Sequence, residues 1–269
     1  MTGALSYDVR GTGPGLVLLH GTSSTGLGSW GSVLDRLADE HTVVLPNVPG
    51  SGDSPLPDAP LDIDTIADQV VATATAAGLD EFALAGVSLG AAVAIKVATR
   101  HAQLVRGLAT VVGFAHPRTT LRLNLELWAS LHARGDSDLG RFLTSISFSE
   151  QYLAALPPQA VHQIVQQLGA HPEPGTAEQI AFTLGIDVRD DLSAVRVPTL
   201  VVAATGDRFV APGHSAVLAN GIAGARLVEV PGGHVSLFED PRPTREALLD
   251  FLKDLDRPQG NPHPERVIH

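Results

Sequence analysis

Gly15-Leu16-Val17-Leu18-Leu19 is a continuous apolar run between Gly-rich turns. That is the pattern of a strand buried on both faces in a parallel sheet. Trp30, Val33, Leu34 and Leu37 recur at helical spacing, and Thr42-Val43-Val44-Leu45 reads as the next strand. A loop rich in Pro, Gly, Ser and Asp runs from Pro46 to Asp62, before a helix marked by Ile63, Ile66, Ala67, Val70 and Val71. Glu81 to Ala85 reads as a strand, Ala91 to Ala98 as a helix and Leu108 to Val112 as a strand. Such alternation predicts an α/β fold, a mostly parallel sheet joined by right-handed crossovers.

The alternation stops near Phe114. From His116 to about Asp190 only helical patterns remain. Leu139, Phe142, Leu143 and Ile146 keep one-face spacing, as do Val161, Ile164, Val165 and Leu168, and more weakly Ala177, Ile180, Ala181 and Leu184. Pro157-Pro158 and the run His171 to Gly175 separate these helices. The strand-helix pattern resumes at Pro198 to Ala203. It continues through a helix near His214 to Asn220, a strand from Ala225 to Val230, and a last helix carrying Leu248, Phe251, Leu252 and Leu255. The expected organisation is a sheet core from residues 1–115 and 191–257, a helical cap insert over 116–190, and a loose tail over 258–269.

Composition narrows the function classes. The 269 residues are 44% hydrophobic and 17% charged, enough apolar material for a substantial core. Net charge is −11, from 29 acidic and 18 basic side chains, and no basic cluster interrupts the chain. Nucleic acid and anionic membrane surfaces are therefore not expected partners; a small molecule is. The absence of cysteine excludes disulfides, a thiolate nucleophile and Cys-based metal sites. Met1 to Arg10 lacks the charged-then-apolar order of a signal peptide, and no apolar run reaches membrane-span length, so a cytoplasmic location is expected. The oligomeric state is left open.

The most informative run is Gly86-Val87-Ser88-Leu89-Gly90, a G-x-S-x-G element between a strand and a helix. A turn that tight needs small neighbours around a strained central residue, and it exposes the Ser hydroxyl at the sheet edge beside a helix N-terminus. A Ser becomes a nucleophile when a base takes its proton and a third group orients that base. The chain offers both at later strand ends: Asp207 in Thr205-Gly206-Asp207-Arg208, and His234 in Pro231-Gly232-Gly233-His234. Asp187, Asp190 and Asp191 are alternative acids, expected to lie in a solvated loop.

Together these residues resemble the α/β-hydrolase superfamily, from Tyr7 to about Leu255. The resemblance is carried by Leu19-His20-Gly21, the Ser88 elbow, Gly206-Asp207 with Pro212 beyond it, and Gly233-His234 followed by Glu239 and Pro241. It implies Ser88 as nucleophile, His234 as base and Asp207 as orienting acid, in the chain order expected for that fold. It also implies an oxyanion hole from the backbone N–H of Leu89 and that of Thr22, with Ser23 as the alternative. His20 is implied to support the site from behind. Two positions depart from the common pattern: Asn47 stands where an Asp is frequent, and Ala91-Ala92 where a Gly pair is.

The implied activity is hydrolysis of a carboxylic ester or lactone through an acyl-Ser88 intermediate, with no metal and no organic cofactor. The same three side chains also serve carbon–carbon, thioester, lyase or peroxide-dependent chemistry, or a hydrolase-like receptor for a small molecule. Thr22-Ser23-Ser24-Thr25-Gly26 lacks the Gly-Pro common in carbon–carbon hydrolases and argues against that branch. Trp128, Leu125 and Leu131 are the expected pocket-lining residues. The insert holds five Arg, no Lys and eight acidic residues, which predicts a mainly apolar pocket without a cationic cluster. His116, His132, His162 and His171 also fall in the insert but without metal-ligand spacing.

Overall fold

The computed structural model describes residues 3–170 and 172–257. The chain opens with strands β1 (Tyr7–Arg10) and β2 (Gly15–Leu19), helix α1 (Gly26–Ala38) and β3 (Thr42–Pro46). Then come α2 (Ile63–Ala76), β4 (Phe82–Val87), α3 (Leu89–Arg100) and β5 (Val105–Val111). Six helices follow without a strand between them: α4 (Thr119–Ala133), α5 (Leu139–Ser147), α6 (Glu150–Ala155), α7 (Pro158–Ala170), α8 (Thr176–Gly185) and α9 (Arg189–Leu192). β6 (Thr199–Ala204), α10 (Gly213–Gly221), β7 (Arg226–Val230), α11 (Ser236–Glu239) and α12 (Pro241–Asp256) complete the described fold. The tail expected over 258–269 lies outside the described residues.

The seven strands form one sheet in the order β1-β3-β2-β4-β5-β6-β7. β1 runs antiparallel to β3, and every other neighbouring pair is parallel. β1 was not legible in the apolar pattern, because it is a short edge strand with Tyr7 and Val9 exposed to solvent. Side chains alternate across the central strands as the pleat requires. On β2, Val17 and Leu19 face the cluster that includes α2 and α3, whereas Leu16 and Leu18 face α1 and α12.

The helical insert has no separate core. Leu121, Leu125, Trp128 and Ile180 belong to the same buried cluster as Leu84 and Leu89. The short helix α9 runs across residue 190, near the expected end of the insert. Asp191 is not in a solvated loop: its carboxylate is 2.7 Å from the Lys96 ammonium and accepts from the Thr99 hydroxyl at 3.0 Å. The loop reading failed because the partner lies on α3, far away in sequence.

Because β2, β4, β6 and β7 are parallel, their carboxyl ends lie on one edge of the sheet. The segments that leave those ends carry His20 to Ser24, Ser88, Asp207 and His234. The edge where ligands bind in open α/β sheets therefore gathers the residues picked out by sequence.

Candidate active site

Ser88 sits between β4 and α3 with φ 54 and ψ −116, outside the backbone regions comfortable for a residue with a Cβ. Its neighbours make the turn possible. A Cβ at Gly86 would meet the Gly90 carbonyl oxygen at 2.1 Å, and one at Gly90 would meet the Leu19 and His20 oxygens at 2.5 and 2.6 Å. Behind the elbow, Gly113 leaves room for Ala91, since a Cβ there would lie 2.5 Å from the Ala91 methyl. Ser88 N–H donates to Val111 O at 3.0 Å, fixing the turn to β5.

The structure brings Ser88, His234 and Asp207 together. Ser88 Oγ and His234 Nε2 are 3.0 Å apart, and His234 Nδ1 lies 2.8 Å from Asp207 Oδ2. The other carboxylate oxygen, Oδ1, accepts from the Phe209 and Val210 N–H groups at 2.9 and 2.8 Å. Asp207 is buried with both oxygens occupied, and its Oδ2 beside Nδ1 places the ring proton of His234 there. That tautomer leaves the Nε2 lone pair facing the Ser88 hydroxyl. The Phe209 ring packs edge-on against His234, with centroids 5.0 Å apart, and Trp128 packs against Phe209 at 5.8 Å. Asp187 pairs with Arg189 and Asp191 with Lys96, so neither orients His234.

His20 is fully buried. Its Nδ1–H donates to Gly21 O at 2.8 Å, and its Nε2 accepts from Val48 N–H at 2.9 Å. Desolvation lowers its pKa from 6.5 to about 4, and the Gly21 bond offsets this only in part. It stays neutral and ties the end of β2 to the loop after β3. Asn47, the departure from the common Asp, uses both ends of its amide. Oδ1 accepts from Gly26 N–H at the start of α1 at 2.9 Å, and Nδ2 donates to Ser6 Oγ at 3.2 Å. A carboxylate could not donate that second bond.

The loop between β2 and α1 presents two candidate donors. Ser23 N–H donates to Gln179 Oε1 at 2.8 Å, so it is already engaged. The N–H groups of Thr22 and Leu89 have no acceptor among the described residues. Among the described residues, three with side chains adopt positive φ, namely Ser23 (56°), Ser88 (54°) and Val112 (46°), and all three line one cavity. Each such conformation costs about 1–3 kcal/mol and survives only where its surroundings enforce it.

The cavity has a volume of about 350 Å³ and opens onto Ser88 and His234. Its lining includes Ser23, Ser24 and Ser29 from the loop after β2, and Trp128, Leu139, Leu143, Ile164 and Phe209 as apolar residues. No Lys, Arg, Asp or Glu lines it among the described residues. The expected pocket residues need correction. Trp128 lines the cavity, but Leu125 and Leu131 do not: they are buried in the hydrophobic cluster. Apolar residues cover more than one face of α4, and periodicity does not separate the face on the core from the face on the cavity. The rest of the insert's lining comes from α5 and α7, with Phe148 just after α5 and Pro172 just after α7. Phe209, Phe148 and Phe238 were missed because each lies in or beside a turn, where no periodicity marks it.

Glu239 was noted only as part of a motif. Its Oε1 accepts from Gly233 N–H at 3.0 Å and from Ser149 N–H at 2.6 Å, and its Oε2 accepts from Ser149 Oγ at 2.6 Å. It thus joins the His234 loop to the N-terminus of α6. Among the insert histidines, His132 and His162 border a separate depression of about 850 Å³ between the α4–α5 turn and α7, which does not contain Ser88. His116 is half-buried, and His171 lies outside the described residues. Among the described residues no group of three or more His, Cys, Asp or Glu could hold a metal ion, and no helix is long and apolar enough to cross a membrane.

Comparison with known proteins places this arrangement. The chain is 32% identical over 256 residues to a pyrrolizixenacetamide deacetylase of Xenorhabdus hominickii, covering 94% of this chain and 96% of that protein. It is 29% identical over 270 residues to a pimeloyl-[acyl-carrier protein] methyl ester esterase of Stenotrophomonas maltophilia, covering 95% and 99%. The crystal structure of a hydrolase from Pseudomonas aeruginosa superposes with a TM-score of 0.79 at 27% identity, over 91% of this chain and 93% of that one. A family model described as alpha/beta hydrolase fold matches residues 14–241, and the chain belongs to that family.

Proposed function

We propose that the protein is a serine hydrolase that cleaves a neutral, mainly apolar carboxylic ester or lactone through an acyl-Ser88 intermediate. The observation that carries this reading is the continuous chain from Ser88 Oγ to His234 at 3.0 Å and from His234 to Asp207 at 2.8 Å. His234 Nε2 takes the Ser88 proton as Oγ attacks the acyl carbon. Negative charge then develops on the acyl oxygen, and the Thr22 and Leu89 N–H groups, with the α3 N-terminus behind them, are placed to receive it. Nε2 passes its proton to the leaving oxygen, and the alcohol departs. Water then adds to the acyl-enzyme by the reverse proton path, releasing the acid and restoring Ser88. Asp207 Oδ2 holds the imidazolium through Nδ1 and takes no part in the proton transfer. No step needs a metal or an organic cofactor. The helical segment 116–190 roofs the pocket in this reading, and a small molecule is the partner.

A second reading is hydrolysis of an N-acyl bond. One observation favours it: the relative at 32% identity is a deacetylase named for an acetamide. Matched p-nitrophenyl acetate and p-nitroacetanilide separate the two, because they share an acyl group and differ only in the bond to the leaving group.

The decisive experiment is Ser88→Ala. Wild type should take up one fluorophosphonate, seen by intact mass, and the variant none, with turnover lower by several powers of ten. Labelling of the variant at the wild-type rate would overturn the reading. A small-molecule receptor without turnover would fail the wild-type rate measurement itself.

A further inference from the structure

We infer that Gln179, in the middle of α8, is a positioning residue for the oxyanion loop. By taking the Ser23 N–H it leaves the Thr22 N–H as the loop's donor toward Ser88. The inference rests on the serine-hydrolase reading and extends it to a residue that does not line the cavity.

Thr176, Gln179 and Thr183 are spaced three and four apart and therefore share one face of α8. All three are buried, at 0%, 0% and 2% exposure. A buried polar face on a helix needs partners, and here the partners are the loop. Thr176 Oγ1 is 2.6 Å from Ser23 Oγ, and Thr183 Oγ1 is 3.0 Å from Thr22 Oγ1. Gln179 Oε1 accepts from Ser23 N–H at 2.8 Å. Its Nε2 donates to Pro49 O at 3.0 Å and to Ser51 Oγ at 2.8 Å. The amide orientation is forced, since the oxygen faces a donor and the nitrogen faces a carbonyl.

Ser23 needs this support. Its φ of 56° is left-handed, a conformation that relaxes unless the surroundings hold it. If Ser23 relaxed, the peptide between Thr22 and Ser23 would turn, and the Thr22 N–H would swing with the loop. The helix that does the holding is itself fixed. Gly175 N–H donates to Gly50 O at 2.8 Å, and Gly52 N–H donates to Glu173 Oε2 at 2.9 Å. Gly175 and Gly50 approach so closely that a Cβ on Gly50 would meet Gly175 Cα at 2.6 Å. The α8 end of the insert is thus anchored to the loop after β3, whereas the apolar roof of the cavity comes mainly from α4, α5 and α7.

The test uses Gln179→Met, Gln179→Glu and Thr183→Val in the full chain, with p-nitrophenyl butyrate as probe and amide hydrogen exchange at Ser23 as a structural readout. Gln179→Met removes both halves of the amide at similar volume. It should speed Ser23 exchange about tenfold or more and lower kcat about 10- to 100-fold, with KM within about threefold, as expected for a misplaced donor outside the substrate-binding walls. Gln179→Glu keeps the acceptor for Ser23 N–H but sets its second oxygen against the Pro49 carbonyl, so Ser23 exchange should stay nearer to wild type than in Gln179→Met even where kcat falls. Thr183→Val loses only the hydroxyl facing Thr22, so it carries the test if Gln179→Met does not fold; its kcat should fall a few-fold with KM unchanged. Wild-type kcat in Gln179→Met, equal Ser23 exchange rates in the Met and Glu variants, or wild-type kcat in a lone folded Thr183→Val would each overturn the inference. Ser88→Ala in the same assay separates the two levels. An inactive Ser88→Ala beside a fully active Gln179→Met defeats the positioning role alone, and an active Ser88→Ala defeats the hydrolase reading and this inference with it.

Discussion

Asp207 divides its carboxylate between two tasks: Oδ2 faces His234 Nδ1 at 2.8 Å, while Oδ1 accepts from the Phe209 and Val210 N–H groups at 2.9 and 2.8 Å. The backbone donors fix which oxygen meets the ring. Asp207→Asn would keep its oxygen on those two donors and turn its NH₂ toward His234. The ring would then have to accept at Nδ1 and carry its proton on Nε2, pointing at Ser88. We expect kcat to fall by about 10⁴-fold with the fold intact. Steady-state rates beside ¹⁵N imidazole spectra check both halves. A mild loss of rate with an unchanged tautomer would remove Asp207 from the orienting role.

Glu239 holds two parts of the site at once, the Gly233 N–H beside His234 and the Ser149 group at the start of α6. Glu239→Gln keeps one oxygen for the two backbone N–H groups but removes the charge and turns its NH₂ toward the Ser149 hydroxyl, which must then accept instead of donate. Hydrogen bonds to a charged group contribute about 1.5–3 kcal/mol. Losing one should lower stability by about 1–2 kcal/mol in urea unfolding. The rate should fall as well, because the His234 loop loses an anchor, and Ser149→Ala should do less since the Gly233 bond survives. Unchanged kcat in Glu239→Gln would make this contact purely a staple of the fold.

The parts of the site that sterics or strand order dictate were legible in the sequence. Gly86 and Gly90 are required by backbone approaches under 3 Å, so the elbow announces itself as a motif. Asp207 follows β6, a plain apolar run, and His234 follows β7, a short edge strand marked by Leu227, Val228 and Val230. What stayed hidden depends on which face of a helix meets which neighbour. Leu125, Leu131 and Trp128 all lie on α4 and all look apolar, yet only Trp128 reaches the cavity. On α8 the apolar pattern picks out Ala177, Ile180, Ala181 and Leu184, of which only Ile180 is buried, and the helix also buries Thr176, Gln179 and Thr183. Polar residues at helical spacing next to a fully buried Ile were the available signal. They count only once a polar partner is known, and that partner, the Thr22-Ser23 loop, lies 156 residues away in the case of Gln179.

Burial of His20 makes stability depend on acidity. Its pKa is lowered from 6.5 to about 4, and that of His214 likewise, in both cases chiefly by desolvation. The folded state resists protonation that the unfolded chain accepts. The corresponding stability is therefore fully present above pH 6.5 and is lost as pH falls toward about 4. For His20 the loss is on the order of 3 kcal/mol. Asp68 and Asp187, lowered to about 2 by their Arg and His partners, act in a separate window below 3.8 with the same sign. His20→Gln can still accept from Val48 N–H and donate to Gly21 O but does not titrate. Unfolding free energies across pH should show a shallower fall between 6.5 and about 4 in this variant, the remainder belonging to His214. An unchanged slope would mean that His20 protonates in the folded protein without penalty.

The cavity sets the expected substrate range. At about 350 Å³ it lies near the small end of ligand sites, which run from about 300 to 1,000 Å³. Each methylene that fits against Trp128, Leu143 and Phe209 should add about 0.8 kcal/mol to transition-state binding, or roughly fourfold in kcat/KM. In a series of p-nitrophenyl esters, kcat/KM should climb over the first few acyl carbons and then drop once the space is filled. Trp128→Ala removes part of the apolar wall and should move the optimum to longer chains while lowering the rate on short ones. The variant also withdraws support from Phe209, which packs on His234, so a fall in kcat across the whole series is expected in addition. Anionic esters should be poor substrates, because no Lys or Arg lines the cavity among the described residues. A strong preference for a hemisuccinate ester over its neutral methyl-capped analogue would overturn the apolar reading of the pocket. An acyl-length profile identical in Trp128→Ala and wild type would show that the substrate is held instead by α5 and α7.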